Sequence, residues 1–268
     1  MARWAAFVGL TGVVISILLA LARLTQDTVG DGAVDPEGVG AIAGPSTRNP
    51  RPGDPVIPRF DDPGPIEMEL STGALLANVA LTQGLFGTVL AAGAFYFEIP
   101  ARAVGIAADP LSTGVPAVAV GTAAGVALWI GNELAGLIAE RAGVDYDESL
   151  RELLAPDDAR GWVLLLGGVL PIIAVVEEFV FRAAAIGAIA AGLGVSPWPM
   201  AVVSSVAFGV AHGAQGRVGM VVTGGLGLAL AALFVVTESL LAVAVAHYLV
   251  NALELTVHEG LGIDRPGG

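Results

Sequence analysis

The chain has 268 residues, of which 55% are apolar and only 14% are charged, a composition too apolar for a soluble domain of this length. It contains no cysteine, which excludes disulfides, cysteine-ligated zinc and a thiol nucleophile. Its net charge of −13 argues against nucleic-acid binding, because that function requires a basic surface.

The N-terminal part of the chain divides into an apolar run and a polar linker. The apolar run extends from Trp4 to Leu21, and its length predicts a membrane anchor over residues 1–24. A cleavable signal peptide is the alternative, because Ala20-Leu21-Ala22 resembles a cleavage site. Residues 25–69 are rich in Gly, Pro and Asp and show no hydrophobic periodicity. We therefore expect a disordered acidic linker there.

Closely spaced apolar segments occupy residues 70–260, the predicted membrane-embedded domain. Several of them approach or exceed the ~20 residues that a membrane-spanning helix needs. With the anchor, they predict an all-α fold, a polytopic transmembrane bundle of about seven helices. Pro171 is expected to kink or interrupt the longest of them. The expected helices are Leu75–Phe97, Pro116–Ile138, Gly161–Leu193, Met200–Ala214, Val218–Val236 and Leu240–Val257.

Arginine placement predicts the orientation of this bundle. The connections after the first, third and fifth helices and the C-terminal tail carry nine arginines, whereas the opposite side carries only Arg3 and Arg102. Positively charged loops stay on the cytoplasmic side of a membrane. We therefore expect a multi-pass protein of the cell membrane with its linker and its C-terminus in the cytoplasm.

Three polar motifs interrupt three different apolar segments. They are Glu177-Glu178-x-x-x-Arg182, Phe208-x-x-x-His212 and His247-x-x-x-Asn251. A charged side chain at the centre of a membrane helix costs roughly 2.5–3.5 kcal/mol on insertion scales. A chain this apolar keeps such groups at depth mainly for chemistry or transport.

Helical spacing suggests a role for each member of the first motif. Glu178 and Arg182 are four residues apart, with the acid first, which is the favourable order for an ion pair within a helix. Their pairing would leave Glu177 on a neighbouring face without a local partner. Glu177 is therefore the better candidate for a general base, with Glu178 and Arg182 in support. The alternative is a structural ion cluster that joins helices.

The other two motifs also place their residues on shared helical faces. Phe208 can pack beside the imidazole of His212, although a lone histidine on an apolar helix is often a packing residue. His247 and Asn251 can both donate N–H bonds toward one point, as a developing oxyanion requires. Their alternative is a polar pair that joins two membrane helices.

The remaining polar residues of the apolar segments are interpreted as structural. Glu254 continues the face of the third motif, either as a supporting partner or as a group at the helix end. Three others, Asn132, Glu133 and Glu238, are interpreted as helix-end residues, and His258 as an interfacial one.

The order of the three motifs resembles that of the CPBP family of intramembrane proteases, which includes the type II CAAX prenyl proteases and the Abi proteins. All the motif positions match over about Gly161 to Val257. The resemblance implies peptide-bond hydrolysis inside the membrane. It implies that Glu177 and His212 activate a water, and that His247 and Asn251 stabilise the oxyanion.

The resemblance leaves the cofactor and the substrate open. The set Glu177, His212 and His247 is compatible with a divalent metal such as zinc, and equally with a metal-free glutamate mechanism. The implied substrate is a peptide or protein that is membrane-tethered or prenylated, within a lipid bilayer. A proton-coupled transporter that uses the buried Glu and His groups as a relay is the alternative function.

Overall fold

The computed structural model describes residues 2–32, 72–141 and 154–263, and these residues form eight helices and no strand. In chain order the helices are α1 (Trp4–Gly32), α2 (Thr72–Tyr96), α3 (Pro110–Thr113), α4 (Val115–Arg141), α5 (Ala159–Leu193), α6 (Pro197–Ala211), α7 (Gly216–Thr237) and α8 (Leu240–Leu255, continued by a π-helical turn at Thr256–Gly260).

Six of these helices are long and apolar enough to cross a membrane, which confirms the predicted all-α polytopic bundle. The two exceptions are α3, which has only four residues, and α6. The 15 residues of α6 extend only about 22 Å. The apolar part of α1 ends at Leu24, but the helix itself continues to Gly32, beyond the predicted anchor boundary. Residues 33–69 of the predicted linker lie outside the described residues.

Helix α5 is the central element of the bundle. In its most apolar 18-residue stretch, 50% of the residues are buried, whereas in the corresponding stretch of α2 only 22% are. It runs without a break past Pro171, directly after a π-helical stretch at Leu165–Val169. The wider π turn accommodates the proline ring and the backbone hydrogen bond that is lost because proline has no N–H. A second π-helical stretch, Phe179–Ala188, begins immediately after the two adjacent glutamates.

Glycines allow α4 to approach the backbone of α8 closely. A Cβ atom on Gly121 would lie 2.5 Å from the Ala242 carbonyl oxygen, and one on Gly125 would lie 2.8 Å from the Ala246 carbonyl oxygen. Small residues spaced four apart permit such close packing between membrane helices. The contact fixes the position of α8, the helix that carries the third motif.

Backbone and ion-pair contacts gather the ends of several helices at one face of the bundle. The Arg3 N–H donates to the Phe97 carbonyl at 2.8 Å, so the start of α1 lies beside the end of α2. Arg102 pairs with Glu238 at 3.7 Å at the exposed end of α7. This face therefore carries the two arginines that the sequence assigned to the side opposite the linker.

Helices α6 and α7 form a tight hairpin. A Cβ atom on Gly209 would lie 2.7 Å from the Met220 carbonyl oxygen, so a larger residue would force the two helices apart. Helix α6 begins at Pro197, as expected for proline in a first turn, but it ends at Ala211 rather than at Ala214. His212 therefore lies in the turn after the helix instead of within it.

Candidate active site

A cavity of about 290 Å³ opens beside α5 and contains polar groups from all three motifs. It extends toward the end of the bundle at which α4 ends and α5 begins, because Asn132 and Leu154 contribute to its wall. Apolar side chains form much of the remaining wall. The motif residues that line it are Glu177, Phe208, His212, His247 and Asn251.

Glu177 lies at the centre of these polar groups and is largely buried. Its Oε2 atom lies 3.9 Å from Nε2 of His212 and 3.8 Å from Nε2 of His247. Its Oε1 atom accepts a hydrogen bond from the side-chain amide of Gln83 on α2, at 3.1 Å. Gln83 thus holds one oxygen of the carboxylate while the other faces both imidazoles.

The fold at the end of α6 fixes the orientation of His212. Its Nδ1 lies 2.8 Å from the Phe208 carbonyl oxygen, which can only accept, so Nδ1 carries the proton and donates it. The bond satisfies a carbonyl near the end of the helix. The Phe208 ring packs beside the imidazole with the ring centroids 4.5 Å apart. In the neutral ring, Nε2 then presents a lone pair toward Glu177.

A buried carboxylate positions His247 from the opposite side. Nδ1 of His247 lies 2.7 Å from Oε1 of Glu178, and since a carboxylate accepts, the ring donates Nδ1–H. The two glutamates therefore contact opposite sides of one imidazole, because Glu178 holds Nδ1 and Glu177 faces Nε2. The spacing of the motifs did not predict the bond between Glu178 and His247.

Arg182 makes the ion pair that the spacing predicted. Its NH1 donates to Oε1 of Glu178 at 2.9 Å, and both side chains are almost completely buried. Its NH2 donates to the Gly227 carbonyl on α7, also at 2.9 Å. The guanidinium stacks over the Phe208 ring at 4.4 Å, a favourable cation–π contact. Arg182 thus ties α5 to α6 and α7 directly behind the cavity.

The structure brings the sequence-predicted site residues to one place. Glu177, His212, His247 and Asn251 line the cavity, while Glu178 and Arg182 lie behind them. Gln83 is an additional site residue that its local sequence does not reveal. It stands in an apolar helix with no motif around it, and the packing of α2 against α5, which includes Gly87 against Val176, brings it into contact.

The candidate metal ligands of the predicted site do not bring three ligand atoms as close together as another group of side chains does. Among the residues that the structure describes, one group of His and acidic side chains brings three ligand atoms within 4.8 Å of one another. That group is Glu133, Glu254 and His258, and not the set of Glu177, His212 and His247.

A buried carboxylate that faces two imidazoles across a cavity provides candidates for a general base and its titratable partners. Residues 159–253 match the family model described as type II CAAX prenyl endopeptidase Rce1-like. That segment is similar to this family, and the similarity supports an intramembrane protease of the CAAX type. All three motifs lie within the matched residues, and the match confirms the family resemblance that they indicated.

The family assignment favours the protease hypothesis over the transporter alternative. Neither the comparison with curated proteins nor that with solved structures gave a match.

Proposed function

We propose that the protein hydrolyses a peptide bond by direct attack of a water that Glu177 and His212 activate. The observation that supports this most strongly is the position of Glu177 Oε2 in the cavity, 3.8–3.9 Å from both imidazole Nε2 atoms. These separations exceed a direct hydrogen bond and suit a water that bridges the carboxylate and a ring nitrogen.

In the proposed reaction Glu177 takes one proton from the water while the water oxygen attacks the peptide carbonyl carbon. The same proton is then delivered to the leaving nitrogen as the carbon–nitrogen bond breaks, which yields a carboxylic acid and an amine. The Nε2 lone pair of His212 accepts a hydrogen bond from the attacking water and orients it. The chain's own side chains supply every proton transfer in these steps.

His247 and Asn251 are proposed to stabilise the oxyanion that forms in this attack. Because Nδ1–H of His247 is committed to Glu178, donation from Nε2 requires a ring that carries both protons. Glu177 and Glu178 lie on its two sides and supply compensating negative charge. The side-chain amide of Asn251, one helical turn further along α8, would donate the second bond.

The proposed substrate is a membrane-tethered peptide or protein, including a prenylated one. The cavity extends toward the end of the bundle that the arginine distribution assigns to the cytoplasm. A substrate anchored in the bilayer would therefore present its scissile bond from the cytoplasmic side. Its lipid would stay in contact with the apolar surfaces of the helices.

The test is cleavage of a fluorogenic, membrane-tethered peptide, with and without a prenyl group, by the purified protein in lipid vesicles. We expect Glu177→Gln to lower the cleavage rate by about 10³-fold or more, because a general base contributes roughly 10²–10⁴-fold and the amide cannot accept a proton. The matched control is Asp157→Asn, the same chemical change at an exposed position before α5. Undiminished cleavage by the Glu177→Gln variant would refute the assigned mechanism.

A further inference from the structure

A second cluster of ionisable side chains lies next to the cavity. It consists of Glu133 on α4, Glu254 on α8 and His258 in the π-helical turn that continues α8. One ligand atom of each lies within 4.8 Å of the others, and Glu254 also lines the cavity. We propose that this cluster is a binding site for a divalent metal ion, with Zn²⁺ as the best chemical match.

The strongest observation is the orientation of His258, a side chain that is only 5% exposed. Its Nδ1 lies 2.7 Å from the Ile263 carbonyl oxygen, to which it must donate. Nε2 lies 3.0 Å from Oε1 of Glu133 and 3.9 Å from Oε1 of Glu254. When the ring is neutral, this nitrogen is a lone pair that faces two carboxylates, a donor set that suits a cation.

The distances between the ligand atoms are close to those of a metal site. Bonds of about 2.0–2.2 Å from zinc to nitrogen or oxygen place neighbouring tetrahedral ligands roughly 3.3–3.6 Å apart. The observed 3.0 and 3.9 Å lie on either side of that range. One imidazole and two carboxylates are ligand types that zinc accepts, and water can complete the coordination.

The surroundings of the cluster orient its side chains as the surroundings of metal ligands do. Metal-binding histidines donate their other ring N–H to a carbonyl or carboxylate, and ligating carboxylates are themselves hydrogen-bonded. His258 meets the first condition through Ile263. Glu254 meets the second, because the Asn132 amide donates to its Oε2 at 3.2 Å and Oε1 remains directed at His258.

The position in the membrane supports a bound cation as well. Glu133 and Glu254 belong to the apolar segments Val115–Ala139 and Leu240–Gly260, each about 9 Å before the segment ends. Carboxylates at such positions oppose insertion into the bilayer, and a divalent ion that they share offsets this cost. The bound ion would fasten α4 to the end of α8 and fix Glu254 in the cavity wall.

Zinc binding by the purified full-length protein tests the proposal without reference to peptidase activity. The protein is stripped with a chelator and then titrated with ZnCl₂ by calorimetry, with bound metal counted by mass spectrometry. We expect about one Zn²⁺ per chain and a thermal midpoint that rises by several degrees with saturation. Glu133→Gln and His258→Gln should each weaken binding at least 10-fold.

Two controls separate this site from the proposed catalytic one. Glu177→Gln should bind Zn²⁺ as the wild type does, and so should Glu259→Gln, a neighbouring carboxylate in the same turn. Each variant is first shown to unfold cooperatively in detergent, so that lost binding is distinguished from lost folding. With Co²⁺ as a second probe, ligation by nitrogen should produce visible absorption that disappears in His258→Gln. Absence of saturable binding, or binding that disappears in Glu177→Gln instead, would overturn the proposal.

Discussion

The two adjacent glutamates of the first motif have different environments although they are neighbours in the chain. Successive residues of a helix point about 100° apart, so Glu177 faces the cavity while Glu178 faces the interior of the bundle. One oxygen of Glu178 bonds both Arg182 and His247. Glu178 therefore neutralises a buried arginine and also orients the imidazole across the cavity from Glu177.

Gln83 is the residue outside the three motifs that we expect to affect activity through its hydrogen bond to Glu177. Its amide holds Glu177 Oε1, and hydrogen bonds to charged groups contribute about 1.5–3 kcal/mol. We expect Gln83→Leu to lower kcat by roughly 10–100-fold, because the carboxylate can then rotate away from the water that it is proposed to deprotonate. KM should change little, since the substrate does not depend on this bond.

Steady-state kinetics on the tethered peptide measure both constants for the Gln83→Leu variant. The matched control is Gln215→Leu, the same substitution in another wall of the cavity. Gln215 bonds Thr223 and makes no hydrogen bond with Glu177. An equal fall of kcat in both variants would indicate a general loss of packing and contradict a specific positioning role for Gln83.

At the scale of the elements, the contact between α4 and α8 controls where His247 and Asn251 stand. A Cβ atom on Gly125 would meet the Ala246 carbonyl oxygen at 2.8 Å, immediately before His247 in the chain. We expect Gly125→Ala to lower the free energy of unfolding by about 1–3 kcal/mol through overpacking. The rate of cleavage should fall as well, because a shift of α8 away from α4 changes the position of His247 relative to Glu177.

Thermal unfolding in detergent and the cleavage assay measure the two effects of the Gly125→Ala substitution. Gly131→Ala on the same helix provides the control, since a Cβ atom there meets nothing within 4 Å. That variant should be neutral or slightly more stable, because alanine favours a helix by up to about 1 kcal/mol over glycine. If both variants behaved alike, close packing at Gly125 would not explain the position of α8.

At the scale of the whole molecule, the arginine distribution predicts which face of the bundle lies in the cytoplasm. The absence of cysteine makes the orientation measurable, because single cysteines can be introduced without background. We expect Ser46→Cys, in the linker, to react with a membrane-impermeant maleimide only after cells are permeabilised. Ala108→Cys, exposed between α2 and α4, should react in intact cells. The reverse labelling pattern would contradict the predicted orientation and the cytoplasmic entry of substrate.

The sequence by itself determined the class of fold and the identity of the motif residues. Apolar runs of about 20 residues and more require helices in a bilayer, and Glu177, His212, His247 and Asn251 are visible because polar groups are costly there. These signals are local. They depend on the composition of single segments and need no knowledge of which segments are neighbours.

Only the tertiary structure decided which side chains meet. Gln83 reaches Glu177 across 94 residues of chain, Glu178 reaches His247 across 69, and Glu133 meets His258 across 125. Helix periodicity fixes the face on which a residue lies but not the helix that this face will contact. That choice depends on close packing between small residues of different helices. The end of α6 at Ala211, which leaves His212 in the turn beside the cavity, is likewise a feature that only the tertiary structure shows.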